Sequence, residues 1–234
     1  MLRSPSARKQ FHFPERKDPM PQLHPCPDDD GNPVVIRIPS TPTAPASWLD
    51  PARLATVLPG GALPDAVNGI PLAPWTAVPD TPAGWTALAD RSLLEEPPFV
   101  PPAGMCAAAG TVIVEDDGRV WLVAPSNRYG GYSATFPKGR ADSGAGLHCT
   151  ALRETFEEAG LQVQLVAFLA DCRRTLTFTR YYIARRLGGT PAAMGWETQA
   201  VHLVPIAQLD RVAVHLNDYP VIKAAREWIE SHRR

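Results

Sequence analysis

With 234 residues and 25.4 kDa, the chain has room for one domain of ordinary size, alone or with a substantial appendage. Its 23 basic and 24 acidic residues leave a net charge of −1, too weak a field for a default polyanion binder, so nucleic acid is not expected as a partner. No stretch free of charge and proline is longer than 103–114, which falls well short of the roughly 20 apolar residues that cross a bilayer and excludes a membrane span as an expectation.

The first residues, MLRSPSARKQFHFPERK, carry basic groups but no apolar run of the secretory kind, and the expected location is cytoplasmic. Cys26, Cys106, Cys149 and Cys172 form no CxxC pair, so reduced thiols are expected rather than a zinc site or disulfide framework. Of 26 prolines, 21 lie at or before Pro102, and this shift in composition divides the chain near residue 103. Residues 1–33, charged and rich in proline with an Asp28-Asp29-Asp30 run, read as a flexible arm. Residues 34–103 read as a proline-rich extension or small subdomain forming an irregular coat, which could cap a cleft or build a homodimer. Within it, 34–38 predicts a short strand, 48–58 a short helix opened by Asp50-Pro51, and Trp75 and Trp85 seek burial.

From 104 to 234 the runs tighten. Residues 107–115 and 119–124 predict a hairpin around Asp116-Asp117-Gly118. Alternation over 161–187 predicts two further strands, and 200–206 another. The closing helix, capped by Asn217 or Asp218 with Pro220 in its first turn, repeats Val221, Ala225, Trp228 and Ile229 at helical spacing. Tyr181 and Tyr182, adjacent in a strand, must face opposite sides. Together these elements predict an α/β fold with a mixed sheet packed between helices.

The chemistry concentrates in 139–161, GRADSGAGLHCTALRETFEEAGL: a glycine-rich loop, a helical run and Gly160 as a stop. At about 100° per residue, Glu154, Glu157 and Glu158 share one face, opposite Leu152, Thr155, Phe156 and Ala159. Like charges at that spacing repel by a few tenths of a kcal/mol per pair. A hard divalent cation offsets such repulsion and keeps positions open for phosphate oxygens, whereas a solvated acidic face is the plain alternative. His148 and Cys149 on the same helix are expected in the core or at its boundary.

Gly139, Arg153-Glu154, Glu157-Glu158 and Gly160-Leu161 stand at the spacing of the Nudix box, which this segment resembles. Ala145 replaces the first Glu of that box and Thr155 an aliphatic residue. Phe136-Pro137-Lys138 before the box and 197–205 after it extend the resemblance over about 104–232. It implies a Nudix-type α/β/α sandwich with mixed sheet, carrying a proline-rich, largely irregular extension. It also implies an Mg²⁺- or Mn²⁺-dependent pyrophosphohydrolase acting on a nucleoside diphosphate derivative such as a dinucleoside polyphosphate or nucleotide sugar. The alternative is a catalytically weak nucleotide-binding or regulatory module, which Ala145 favours.

Carried over position by position, the resemblance makes Glu154, Glu157 and Glu158 the metal ligands, with Arg153 orienting them and Glu157 and Glu158 counted as catalytic. Glu197 is the candidate fourth ligand or general base. Lys138 and Arg140 are expected to meet substrate phosphates, the first as a point charge and the second through a fork. Arg128, Tyr129 and Tyr132 are candidates for a phosphate contact and base stacking, a packed glycine-rich turn being the other reading. Trp196 is either a lid residue or a core plug.

Overall fold

The computed structural model describes residues 21–232, so 1–20, most of the expected arm, lie outside the described residues. The elements are β1 (Gln22–Leu23), β2 (Val35–Ile36), β3 (Ala55–Val57), β4 (Ala66–Val67), β5 (Ile70–Pro71), α1 (Pro82–Ala89), β6 (Cys106–Ile113) and β7 (Arg119–Pro125). They continue with β8 (Lys138–Arg140), α2 (Leu147–Ala159), β9 (Leu161–Arg173), β10 (Thr177–Gly189), β11 (Thr198–Pro205), α3 (Leu209–Val212) and α4 (Tyr219–Ser231), joined by short 3₁₀ turns.

Two sheets form the middle layer of an α/β/α sandwich. One runs β8-β6-β10-β9, mixed because β10 pairs parallel with β6 and antiparallel with β9; the other runs β3-β11-β7 and is antiparallel. On one side lie α1 and α2, over a core that includes Leu152, Trp121, Trp85 and Tyr182. On the other lie α3 and α4, over Phe136, Tyr181, Leu209, Val221 and Ile229. The two adjacent tyrosines therefore enter opposite cores, as strand alternation requires. Among the described residues no helix is long and apolar enough to cross a membrane.

Three local expectations are corrected. The predicted hairpin closes only at its tip, through a bridge between Val114 and Val120; its arms then part, β6 entering one sheet and β7 the other. Both arms are buried on both faces, so neither needs the other as its sole partner. The helix expected over 48–58 is a 3₁₀ turn at Pro45–Leu49 followed by strand β3. Here tertiary contacts override local propensity: Arg119 donates to the carbonyls of Ser47, Trp48 and Asp50, while Ala55, Thr56 and Val57 complete the edge of β11. The strand expected over 34–38 shortens to Val35–Ile36, paired with Gln22–Leu23.

Helix α1 went unanticipated, although Thr81-Pro82 is a start signal: Thr81 Oγ1 accepts from Gly84 N at 3.2 Å, and proline occupies the first turn. The helix brings Trp85 against Phe156 and Trp75, with ring centroids 6.1 and 5.8 Å away, and so covers the back of α2. A second buried arginine, Arg186, pairs with Glu115 and donates to the carbonyls of Val67, Ile70 and Pro71, fastening β4 and β5.

Candidate active site

Helix α2 starts after Gly146 and stops at Gly160, whose φ of +66° is left-handed and whose N–H closes on the Phe156 carbonyl at 2.7 Å. A Cβ there would collide with the Thr190 carbonyl, so the turn admits only glycine. Within the helix, Thr155 satisfies its buried hydroxyl by donating to the Ala151 carbonyl at 2.7 Å. That leaves Thr111 as donor in their 2.6 Å contact, and a polar residue is accommodated where the Nudix pattern has an aliphatic one.

The three glutamates occupy different environments. Glu154 is buried beneath β8, so close to Gly139 that a Cβ at that position would fall on its carboxylate. Glu158 accepts from the backbone N–H of Lys138 at 2.8 Å, which pins the start of β8 to the helix. Glu157 is exposed and accepts from Arg153 at 2.7 Å. The same guanidinium reaches Glu154 at 2.9 Å and Asp142 at 3.3 Å. Arg153 thus bonds to two of the three acids.

Removal from water, then the nearby Glu158, pushes Glu154 up to about 8 against the pull of Arg153. Burial likewise pushes Glu158 up to about 7, with the Lys138 ammonium and N–H opposing. Glu197 is raised by burial and then by Asp29 and Glu157. It is brought there because Gly195 N donates to the Glu157 carbonyl at 2.8 Å and Ser126 N to the Glu197 carbonyl at 2.7 Å. Four carboxylates therefore share a region whose nearest cations are Arg153 and Lys138, and acid is in excess.

Hard oxygen donors in excess of cations fit a divalent ion such as Mg²⁺. In the described geometry Arg153 and the Lys138 N–H hold Glu154, Glu157 and Glu158; among the described residues no three His, Cys, Asp or Glu side chains stand together at ligand spacing.

Lys138 and Arg140 alternate on β8 and so share one face, the first partly buried and the second exposed. Lys138 Nζ lies 5.5 Å from the centroid of Tyr132. That ring stacks on His215 at 4.0 Å, and its hydroxyl accepts from Asn217 Nδ2 at 2.8 Å. Arg128 and Tyr129 are exposed on the 126–131 turn, where Asn127 and Arg128 are left-handed at φ 54° and 56°. The Tyr129 carbonyl accepts from Tyr132 N at 3.3 Å, and among the described residues neither the Arg128 nor the Tyr129 side chain bonds to the acidic group. His148 and Cys149 lie where expected: the first packs edge-on against Tyr182 at 4.8 Å, the second is buried.

Sequence reasoning missed Asp29, whose carboxylate meets the Trp196 indole, and Asp142, which reaches Arg153 from the loop that lacks the first Glu. The Asp28-Asp29-Asp30 run was the available signal for Asp29, but nothing local tied it to residues 167 positions away. His215 was missed as well, a lone histidine in a loop.

Fold and site define an α/β/α sandwich in which a glycine-bearing strand and loop lead into an acid-faced helix. The chain belongs to the NUDIX family: the model described as NUDIX domain matches residues 105–225. A Mycobacterium tuberculosis protein, provisionally named mutator protein MutT4, is 28% identical over 53% of this chain and 55% of its own. An RNA pyrophosphohydrolase from Novosphingobium aromaticivorans is 36% identical over 27% of this chain and 40% of its own. The chain thus matches about half, or less, of the length of these curated relatives. The crystal structure of a C. elegans Ap4A hydrolase binary complex is 20% identical, covering 54% of this chain and 99% of that one, with a TM-score of 0.44.

Proposed function

We propose that the protein is a metal-dependent pyrophosphohydrolase that cleaves the diphosphate linkage of a nucleoside diphosphate derivative, working in the cytoplasm. The observation that carries this reading is the gathering of Glu154, Glu157, Glu158 and Glu197 beside Arg153 and Lys138, with acid in excess. Glu154, Glu157 and Glu158 would hold Mg²⁺ or Mn²⁺. When bound, such a cation neutralises phosphate charge and lowers the pKa of its water. Arg153 orients Glu154 and Glu157. Lys138 and Arg140, side by side on β8, supply positive charge to the phosphates, as transfer at phosphorus requires. Glu197 serves as a further ligand or as general base, since its raised proton affinity suits a group that takes a proton from water. Tyr132, stacked on His215 and beside Lys138, would border the nucleoside.

The test is a hydrolysis panel with Mg²⁺ or Mn²⁺ covering dinucleoside polyphosphates, nucleotide sugars, nucleoside triphosphates, 5′-triphosphate RNA and diphosphoinositols. We expect turnover of at least one class, and a loss of about 10²-fold or more in Glu157→Gln, the scale of a removed acid–base or metal-holding carboxylate. A silent panel at high protein concentration contradicts the reading.

Ala145 supports a second reading, a binding module with a weakened box. Calorimetry separates the two, because a binder takes up nucleotide without consuming it, and Ala145→Glu raises turnover only if that missing carboxylate limits it. The reach of Asp142 to Arg153 favours the enzyme, since it ties the same loop to the same helix.

A further inference from the structure

Residues 24–38 lie outside the matched family region, yet hydrogen bonds fasten them to residues 127, 196, 198 and 199. The Thr198 carbonyl can only accept, so His24 Nε2 donates to it, at 3.1 Å. Asn127 pairs with the segment as a strand would, donating to the Val35 carbonyl at 2.9 Å and accepting from Arg37 N at 2.8 Å. Gln199 donates to the Ile38 carbonyl at 2.9 Å and accepts from Asn127 N at 3.1 Å. Between these anchors Asp28 closes a turn, its Oδ1 accepting from Asp30 N at 3.1 Å and Asn32 N at 2.7 Å. That turn presents Asp29, whose Oδ1 accepts from Trp196 Nε1 at 3.0 Å.

Trp196 sits in the turn that carries Glu197. The turn is held from the helix side by Gly195 N on the Glu157 carbonyl, and from the 126 loop by Ser126, whose Oγ donates to the Trp196 carbonyl at 2.7 Å. Its outer side has the Asp29 contact.

We propose that Asp29 is a positioning residue of the catalytic cleft: through the Trp196 indole it fixes the 195–197 turn and hence the Glu197 carboxylate, making residues 24–38 a wall of the site. The proposal rests on the hydrolase reading above. Asp29 itself is exposed and makes this one side-chain contact among the described residues, so it contributes placement rather than core stability.

The experiment uses the full chain and four variants: Asp29→Ala, Asp29→Asn, Trp196→Phe and the double Asp29→Ala/Trp196→Phe. With the best substrate of the panel, Asp29→Ala and Trp196→Phe each lower kcat about tenfold, the scale of one charge-assisted hydrogen bond, with little change in KM or melting temperature. The double variant is no worse than either, and Asp29→Asn, whose amide oxygen still accepts, recovers most of the loss. In parallel, the Trp196 indole N–H resonance, identified by its absence in Trp196→Phe, shifts in Asp29→Ala and not in Asp29→Asn. An unchanged kcat in Asp29→Ala, an Asp29→Asn as impaired as Asp29→Ala, or additive losses in the double variant overturns the proposal. If the wild-type chain hydrolyses nothing, the hydrolase reading fails by itself, and the indole resonance alone decides the contact: unmoved in Asp29→Ala, it removes the tether.

Discussion

Arg153 is the pivot of the acidic group, because one guanidinium contacts Glu154, Glu157 and Asp142 at 2.7–3.3 Å. Its planar fork allows several carboxylates to be oriented at once, which a lysine ammonium cannot do with the same rigidity. Gly139 makes the complementary space, for the buried Glu154 carboxylate lies where a side chain would begin. Gly139→Ala is therefore expected to displace Glu154, costing about 1–3 kcal/mol of stability as an overpacking substitution and most of the hydrolytic activity. Urea unfolding alongside steady-state kinetics checks this; a variant as stable and active as wild type would show that the contact is dispensable.

At the scale of elements, the extension is fastened by buried arginines and by one strand. Arg119, about 1% exposed, bonds to Asp117 and to three carbonyls of the 3₁₀ turn. Arg119→Met leaves those groups without a partner, and an uncompensated buried charge network costs about 3–5 kcal/mol, readable as a lowered urea midpoint. Where β3 meets β11, Thr56 Oγ1 and His202 Nδ1 share a hydrogen bond of 2.8 Å, and burial lowers the histidine to about 4 from its usual 6.5. Between pH 6.5 and 4 the unfolded chain therefore binds more protons than the folded one, so stability falls as pH drops through that window. The loss is about 2–3 kcal/mol, and unfolding of His202→Gln across the same range should be correspondingly flatter.

The same elements show what local sequence carries. The box, the closing helix and the strand pair at 161–187 were legible because glycine stops, proline starts and apolar periodicity act within a few residues. The parting of β6 from β7 was not, since sheet membership depends on partners 71 to 86 residues away, on β10 and β11. Nor was β3, a strand only because β11 offers an edge and Arg119 captures the preceding carbonyls. In the acidic site, the three helix glutamates were readable from spacing, whereas Asp29 and Asp142 acquire their places through tertiary contacts.

Across the whole molecule, the extension and the family domain build one set of surfaces. Trp48 packs on Trp121 at 5.8 Å behind the second sheet, Trp75 and Trp85 back the acidic helix, and residues 24 and 29 bond to Thr198 and Trp196. Aromatic burial of this kind contributes strongly per residue, which accounts for a proline-rich segment with little regular structure staying packed. The extension's apolar cover lies on the Phe156 side of α2, while Glu154 and Glu158 lie against β8. The central claim is that Glu154, Glu157 and Glu158 hold a divalent cation there. Crystals of the full chain grown with Mn²⁺ and measured at its absorption edge test this most directly. An anomalous peak at coordination distance from those carboxylate oxygens, lost in Glu157→Gln, is the predicted result; saturating Mn²⁺ with no peak beside α2 would contradict the account.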